Sequence, residues 1–338
     1  MSSGPTLVAP APLPFPQPIA KAPMFPLLTF DDLAALPPPE WLVEGICEVD
    51  SQVMLYGPSG GAKSFVGLDV ALSVASGKPW HGHKVKQGPV VYVAGEGGKG
   101  ISRRIAAWCE LNDCPAPPEA FFLLKAPQLI DAAHLAALVA DIRRCTPELV
   151  LIVLDTFART FVGGEENSAK DTGVWIAAAA ALQSAFRATV LTVHHSGKKK
   201  GKQAPPDRGS SALRGAMDTV VQVSKSGMAI TVSCEKQKDD EEFEKIGLTL
   251  TQVDLGDGVT SCALTDGIVD GLGNRGLTAN NWRLLNVLAG CGPGPIPVAE
   301  WREAVDEDEE TVAPRTFDRW REECQPTISR ATGKGFGS

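Results

Sequence analysis

The sequence predicts an α/β fold with parallel strands at its centre, and three observations predict it. The stretch Val53–Ser76 (VMLYGPSGGAKSFVGLDVALSVAS) runs from a short apolar strand through a glycine-rich turn into a helix. Two more apolar runs, Val90–Ala94 and Leu149–Leu154, are each followed closely by an acid. Strand ends of this kind line the ligand cleft of open α/β sheets. A fourth run, Thr189–Val193, ends at a pair of histidines.

The first stretch has the form of a phosphate-binding loop: strand, Gly57-Pro58-Ser59-Gly60-Gly61-Ala62-Lys63-Ser64, then a helix opening with Phe65. Small residues let backbone N–H groups converge on an anion, and the helix N-terminus adds partial positive charge. Lys63 is expected to neutralise the β- and γ-phosphates of a nucleotide such as ATP, and Ser64 to place a hydroxyl on Mg²⁺. The residue before the lysine is normally glycine, and here it is Ala62. A methyl group there crowds the phosphates, or costs about 1–2 kcal/mol if the backbone takes φ > 0. Weakened rather than abolished nucleotide binding is the expectation.

Composition narrows the class. At 338 residues the chain has room for one large core and a smaller module. A net charge of −8 gives no global basic field for nucleic acid, so such contact must be local. Eight cysteines are scattered without CxxC pairs or nearby histidines, which argues against zinc or a disulfide framework and for reduced thiols in the cytoplasm. No apolar run is long enough to cross a bilayer, and the first residues show no basic-then-apolar signal pattern, so no membrane partner is expected.

In chain order, residues 1–25 are rich in Pro and Ala and read as an extended arm, either solvated or packed on a neighbouring subunit. Thr29 caps a short helix that Pro37-Pro38-Pro39 ends. His81 and His83 lie in the loop 77–88, where a surface role fits better than a metal site because no acid or thiol stands near them in sequence. Glu96 is placed to polarise an attacking water, or else is the N-terminal acid of the helix that follows. Asp155 is placed to hold the Mg²⁺ shell. His194 and His195 end a strand beside the triphosphate, where they can sense the γ-phosphate.

Lys198–Lys202 (KKKGK) is either a solvated face or a loop that touches nucleic-acid phosphates. Arg208 and Arg214 stand in a Gly/Ser-rich stretch able to deliver an arginine across a subunit boundary. Three alternating segments from Thr219 to Val253 are expected to complete the sheet edge as antiparallel strands. Lys236 and Lys238, between the second and third, either reach a neighbour's nucleotide or are strand-end charges. The expected organisation is an arm (1–25), a nucleotide-binding domain (26–255), a Gly/Asp-rich linker (256–276) and a small helical, winged-helix-like module (277–338).

Together these segments resemble the RecA-like ATPases of the RepA type, the plasmid hexameric helicases and their phage and mobile-element relatives. LYGPSGGAKS, VYVAGEG, LVLIVLDT, GGEENSA, VLTVHHSGK, RGSSALRGAMD and EKQKD occur in the family's order and cover roughly Leu27 to Val253. The resemblance implies a RecA-like core, a twisted and mainly parallel sheet flanked by helices, assembled as a six-membered ring with ATP between subunits. It implies Lys63 and Ser64 as phosphate and Mg²⁺ ligands, Glu96 as catalytic base and Asp155 as the Mg²⁺-shell acid. His195 becomes the γ-phosphate sensor and Arg208 the finger given to the neighbour, with Arg214 in reserve.

Two functions follow as expectations. One is an ATP-driven motor on single-stranded DNA, serving replication or recombination of a phage, plasmid or mobile element. The other is a regulatory or assembly ATPase that binds a protein partner through its C-terminal module. A protein that binds nucleotide without hydrolysing it rests on Ala62 alone.

Overall fold

A computed structural model describes residues 27–96, 98–166, 168–195, 208–267 and 302. The expected arm, the basic run Lys198–Lys202 and the C-terminal module apart from Arg302 lie outside the described residues. The chain divides into two units, Met1–Pro39 and Glu40–Ser338. In the first, Thr29 and Asp32 form a reciprocal capping box that starts α1 (Phe30–Ala34).

The second unit opens with a small antiparallel pair, β1 (Trp41–Val43) and β2 (Cys47–Glu48). Next come β3 (Gln52–Gly57), α2 (Lys63–Ser76), β4 (Val90–Ala94), α3 (Ile101–Leu111), β5 (Ala120–Leu123) and α4 (Ala132–Cys145). They are followed by β6 (Leu151–Asp155), α5 (Phe157–Thr160), α6 (Ala169–Phe186), β7 (Thr189–His195) and α7 (Arg208–Ala216). Four strands close the described chain: β8 (Thr219–Ser226), β9 (Ala229–Gln237), β10 (Ile246–Asp254) and β11 (Thr260–Asp266).

Nine strands form one sheet in the order β11-β10-β9-β8-β3-β7-β6-β4-β5. From β5 to β8 every neighbouring pair is parallel; from β8 to β11 every pair is antiparallel. The mainly parallel α/β sheet with flanking helices is therefore present as expected. Its central strands are unbroken apolar runs because both faces are covered. Val53 and Leu55 of β3, and Leu151 and Val153 of β6, share a core with α2 and Trp108 of α3. Their neighbours Met54, Tyr56, Ile152 and Leu154 share a second core with Leu138 of α4 and Trp175 of α6. Alternation along each strand thus feeds two layers of helix.

Helix ends follow local chemistry. Asp131 accepts from the amides of Ala133 and His134 at the start of α4, and Ser168 caps α6 through Asp171 N–H. Gly77 ends α2 at φ +76°.

One boundary and one strand direction differ from the sequence reading. The expected linker 256–276 contains β11, paired residue for residue with β10 from Leu248↔Asp266 to Asp254↔Thr260. Its Gly256-Asp257-Gly258 stretch, all at positive φ, is a hairpin turn closed by Val259 N–H on the Gly256 carbonyl. β8, expected as antiparallel, runs parallel to β3 on one side and antiparallel to β9 on the other. It is the strand at which the sheet changes sense.

Candidate active site at the C-terminal strand ends

The carboxyl ends of β3, β4, β6 and β7 meet on one rim of the sheet, and α2 begins there. Gly57 ends β3 where a Cβ would stand 2.1 Å from the Val223 carbonyl oxygen of β8, so only glycine fits between the strands. Pro58 O accepts from Gly61 N–H at 3.0 Å, which folds the loop back on itself. Ala62 then takes φ +64°, ψ +14° and accepts from Phe65 and Val66 N–H, opening α2 without a side-chain cap. The first amides of a helix lack intrahelical acceptors and suit an anion. The sequence allowed two costs for Ala62, and the backbone takes the left-handed one.

Lys63 is buried, 3% exposed. Its Nζ donates to the carbonyls of Gly57 (3.0 Å) and Pro58 (2.8 Å) and lies 3.0 Å from His195 Nδ1. An ammonium has three protons, and these are three acceptors. His195 Nδ1 therefore accepts, which assigns the ring proton to Nε2, 3.6 Å from Glu96 Oε2. Burial lowers the Lys63 pKa, and the charges of Asp155 and Glu96 oppose that shift.

Asp155, at the end of β6, is 2% exposed. Its Oδ1 accepts from Ser64 Oγ at 3.1 Å and its Oδ2 from the Tyr92 hydroxyl at 2.7 Å. Burial raises its carboxyl pKa, against the two hydrogen bonds that lower it. Glu96 is more open. Its Oε1 accepts from Thr156 Oγ1 at 3.2 Å and lies 3.4 Å from Arg159 Nε. Gly95 brings these pieces together: its N–H donates to Asp155 O at 2.6 Å, and a Cβ there would meet Arg159 Cβ at 2.7 Å.

Lys63, Ser64, Glu96, Asp155 and His195 are thus one connected constellation. His194 is buried instead, edge-on to Phe157 at 5.1 Å and 3.8 Å from Glu166. Phe65 lies under the Arg104 guanidinium at 4.6 Å. Arg208 starts α7. Arg214 packs 4.6 Å over the Tyr56 ring and donates to Glu235, which also accepts from the Tyr56 hydroxyl. Lys236, on β9, donates to the carbonyls of Gly215 (3.2 Å) and Met217 around the end of α7, and Lys238 donates to Asp218 at 3.3 Å. Tyr92, Thr156 and Arg159 escaped the sequence reading. Tyr92 left a trace, since a hydroxyl inside a buried aliphatic strand needs a partner.

The oxygens of Ser64 and Asp155 are hard donors that fit Mg²⁺, which takes one or two protein oxygens and completes its shell with phosphate and water. Among the described residues no group of three or more His, Cys, Asp and Glu side chains stands ready for a metal. The histidines of the 77–88 loop have other partners. His83 Nδ1 donates to Glu44 O at 2.9 Å. His81 is packed inward, its Nε2 on Asp69 (2.9 Å) and its Nδ1 on Asp266 (2.5 Å), so the surface placement expected for it does not hold. An acid does stand near it, from α2 and β11 rather than from its own loop. Among the described residues no helix is long and apolar enough to cross a membrane.

The family model described as "AAA domain" matches residues 19–201. Among solved structures, the crystal structure of the RadB recombinase superposes with a TM-score of 0.44 at 14% identity, covering 60% of this chain and 88% of that one. No curated protein matches the chain.

Proposed function

The chain belongs to the AAA domain family of P-loop ATPases, and from that premise we propose that it is a motor on single-stranded DNA, driven by Mg²⁺-dependent ATP hydrolysis. The observation that supports this most is the Lys63–His195–Glu96 chain beside the Ser64–Asp155 pair. In this reading a phosphate ligand, a sensor and a base are already in contact before substrate arrives.

In this reading the γ-phosphate draws Lys63 Nζ from His195, and His195 reports the change to Glu96. Glu96, held by Thr156 and Arg159, orients the attacking water and takes its proton. Mg²⁺, held with the nucleotide by Ser64 and the Asp155 shell, supplies neutralisation of charge on the phosphate oxygens. Arg208 acts on the neighbour's nucleotide in a hexameric ring, with Arg214 as the second candidate, and Lys236 and Lys238 stand beside that boundary. Self-association is supported by the exposed Leu27, Leu28, Phe30, Leu33 and Leu36. Lys198–Lys202 follows the histidine strand and tracks the DNA, and the protein acts in the cytoplasm as a replicative helicase or recombination ATPase of a phage, plasmid or mobile element.

A second reading, a regulatory or assembly ATPase that docks a replication protein through residues 277–338, is favoured by the left-handed Ala62 and the net charge of −8. Steady-state ATP hydrolysis with and without single-stranded DNA, beside Lys63→Ala, separates the two. Stimulation by DNA that the variant abolishes supports the motor. Hydrolysis indifferent to DNA overturns it in favour of the regulatory protein.

A further inference from the structure

We propose that Tyr92 is the positioning residue for the Mg²⁺ shell: its hydroxyl locks the Asp155 carboxylate so that one oxygen alone faces Ser64 and the metal. The inference rests on the nucleotide-binding reading of the site and names a part of it that no motif marks.

The geometry is specific. Tyr92 lies on β4, where Ala94 pairs with Asp155 of β6, so its ring rises from the sheet two residues below that pair. It is 2% exposed and its hydroxyl donates to Asp155 Oδ2 at 2.7 Å. The Tyr92 hydroxyl oxygen also lies 3.3 Å from the Ser64 carbonyl in the first turn of α2. Tyr92 therefore joins the acid of β6 to the helix bearing the Mg²⁺ hydroxyl. A carboxylate can turn about its terminal bond and present either oxygen. With Oδ2 taken by the phenol, Oδ1 is left toward Ser64 Oγ at 3.1 Å. Partners of this kind, one step from the metal, fix ligand orientation and their removal commonly costs 10–100-fold in metal affinity.

A reading in which Tyr92 merely fills the core predicts a different outcome, since Tyr92→Phe keeps the ring. The test measures ADP affinity with a fluorescent ADP analogue, first in EDTA and then across a MgCl₂ titration. It compares wild type, Tyr92→Phe, Asp155→Asn and the double variant, each checked for folding by thermal melt. Tyr92→Phe is expected to bind ADP normally in EDTA but to need about tenfold more Mg²⁺ for half of the metal-dependent tightening. In the Asp155→Asn background the same change is expected to add nothing, because the carboxylate it orients is gone. A Tyr92→Phe titration that matches wild type overturns the inference and leaves the nucleotide reading standing. Equal loss with and without Mg²⁺, or full additivity with Asp155→Asn, also overturns it, as general loosening. Wild-type protein that binds no ADP at any Mg²⁺ concentration overturns both.

Discussion

Asp69 and Glu96 are each met by three donor groups, one of them a histidine, yet they are built for opposite purposes. Asp69, in the middle of α2, accepts from the indoles of Trp80 and Trp108 at 2.7 Å each and from His81 at 2.9 Å. It is 5% exposed. Glu96, at the rim, has Thr156, Arg159 and His195 at 3.2, 3.4 and 3.6 Å, and its side chain is 38% exposed. Short bonds in a dry interior are stiff and costly to break. Long contacts at a wet surface cost little to exchange. A carboxylate that holds a fold, and one that in the proposed mechanism meets a water, need these different settings.

The contrast breaks most sharply at Glu96. Glu96→Gln is expected to lower the rate of ATP hydrolysis by about 10²–10⁴-fold, while melting temperature and ADP affinity stay near wild type. Asp69→Ala is expected to do the reverse. It strands two indole N–H groups and an imidazole, so unfolding in urea should show a loss of about 3 kcal/mol or more.

The histidine partner gives a sharper, pH-dependent version. Burial pushes the His81 pKa down, but hydrogen bonds and charges from Asp69 and then Asp266 outweigh it and leave the value raised. With a carboxylate on each nitrogen the ring is an imidazolium. Its stabilisation is fully present below the unfolded pKa of about 6.5 and fades as pH rises through the higher folded value. The difference in urea midpoint between wild type and His81→Gln should therefore be constant in mild acid and shrink in mild alkali. The smallest effect is expected from Ala62→Gly. Relief of the left-handed φ should raise the urea midpoint by the equivalent of about 1 kcal/mol. A midpoint unchanged or lowered would show that the loop backbone is not strained there.

The same contrast explains what the sequence revealed. Lys63, Ser64, Glu96, Asp155 and His195 were legible because each ends or follows a strand, and parallel strands bring their carboxyl ends to one rim. The strands themselves were legible as apolar runs. Asp69 was not, because its partners come from positions 80, 81 and 108, and His81 leads on to 266; only the packed sheet and helices make them neighbours. Tyr92 looked like one more apolar residue of VVYVA until the register with β6 gave its hydroxyl a carboxylate. The β10–β11 hairpin was hidden by its own turn, since Gly256-Asp257-Gly258 has the composition of a spacer as well as of a tight reversal. Arg214 and Lys236 were legible as cations, but not as side chains engaged within their own chain.

The place of β11 in the sheet bears on where this polypeptide is divisible. Cleavage after residue 255 would strip β10 of its outer partner and leave a row of unmatched amides and carbonyls open to any other chain. It would also remove Asp266, and with it one of the two carboxylates on His81. Gly267 belongs to the same sheet, its N–H donating to the Gly247 carbonyl at 3.0 Å. A cut made on the near side of that bond is expected to cost the sheet its edge strand.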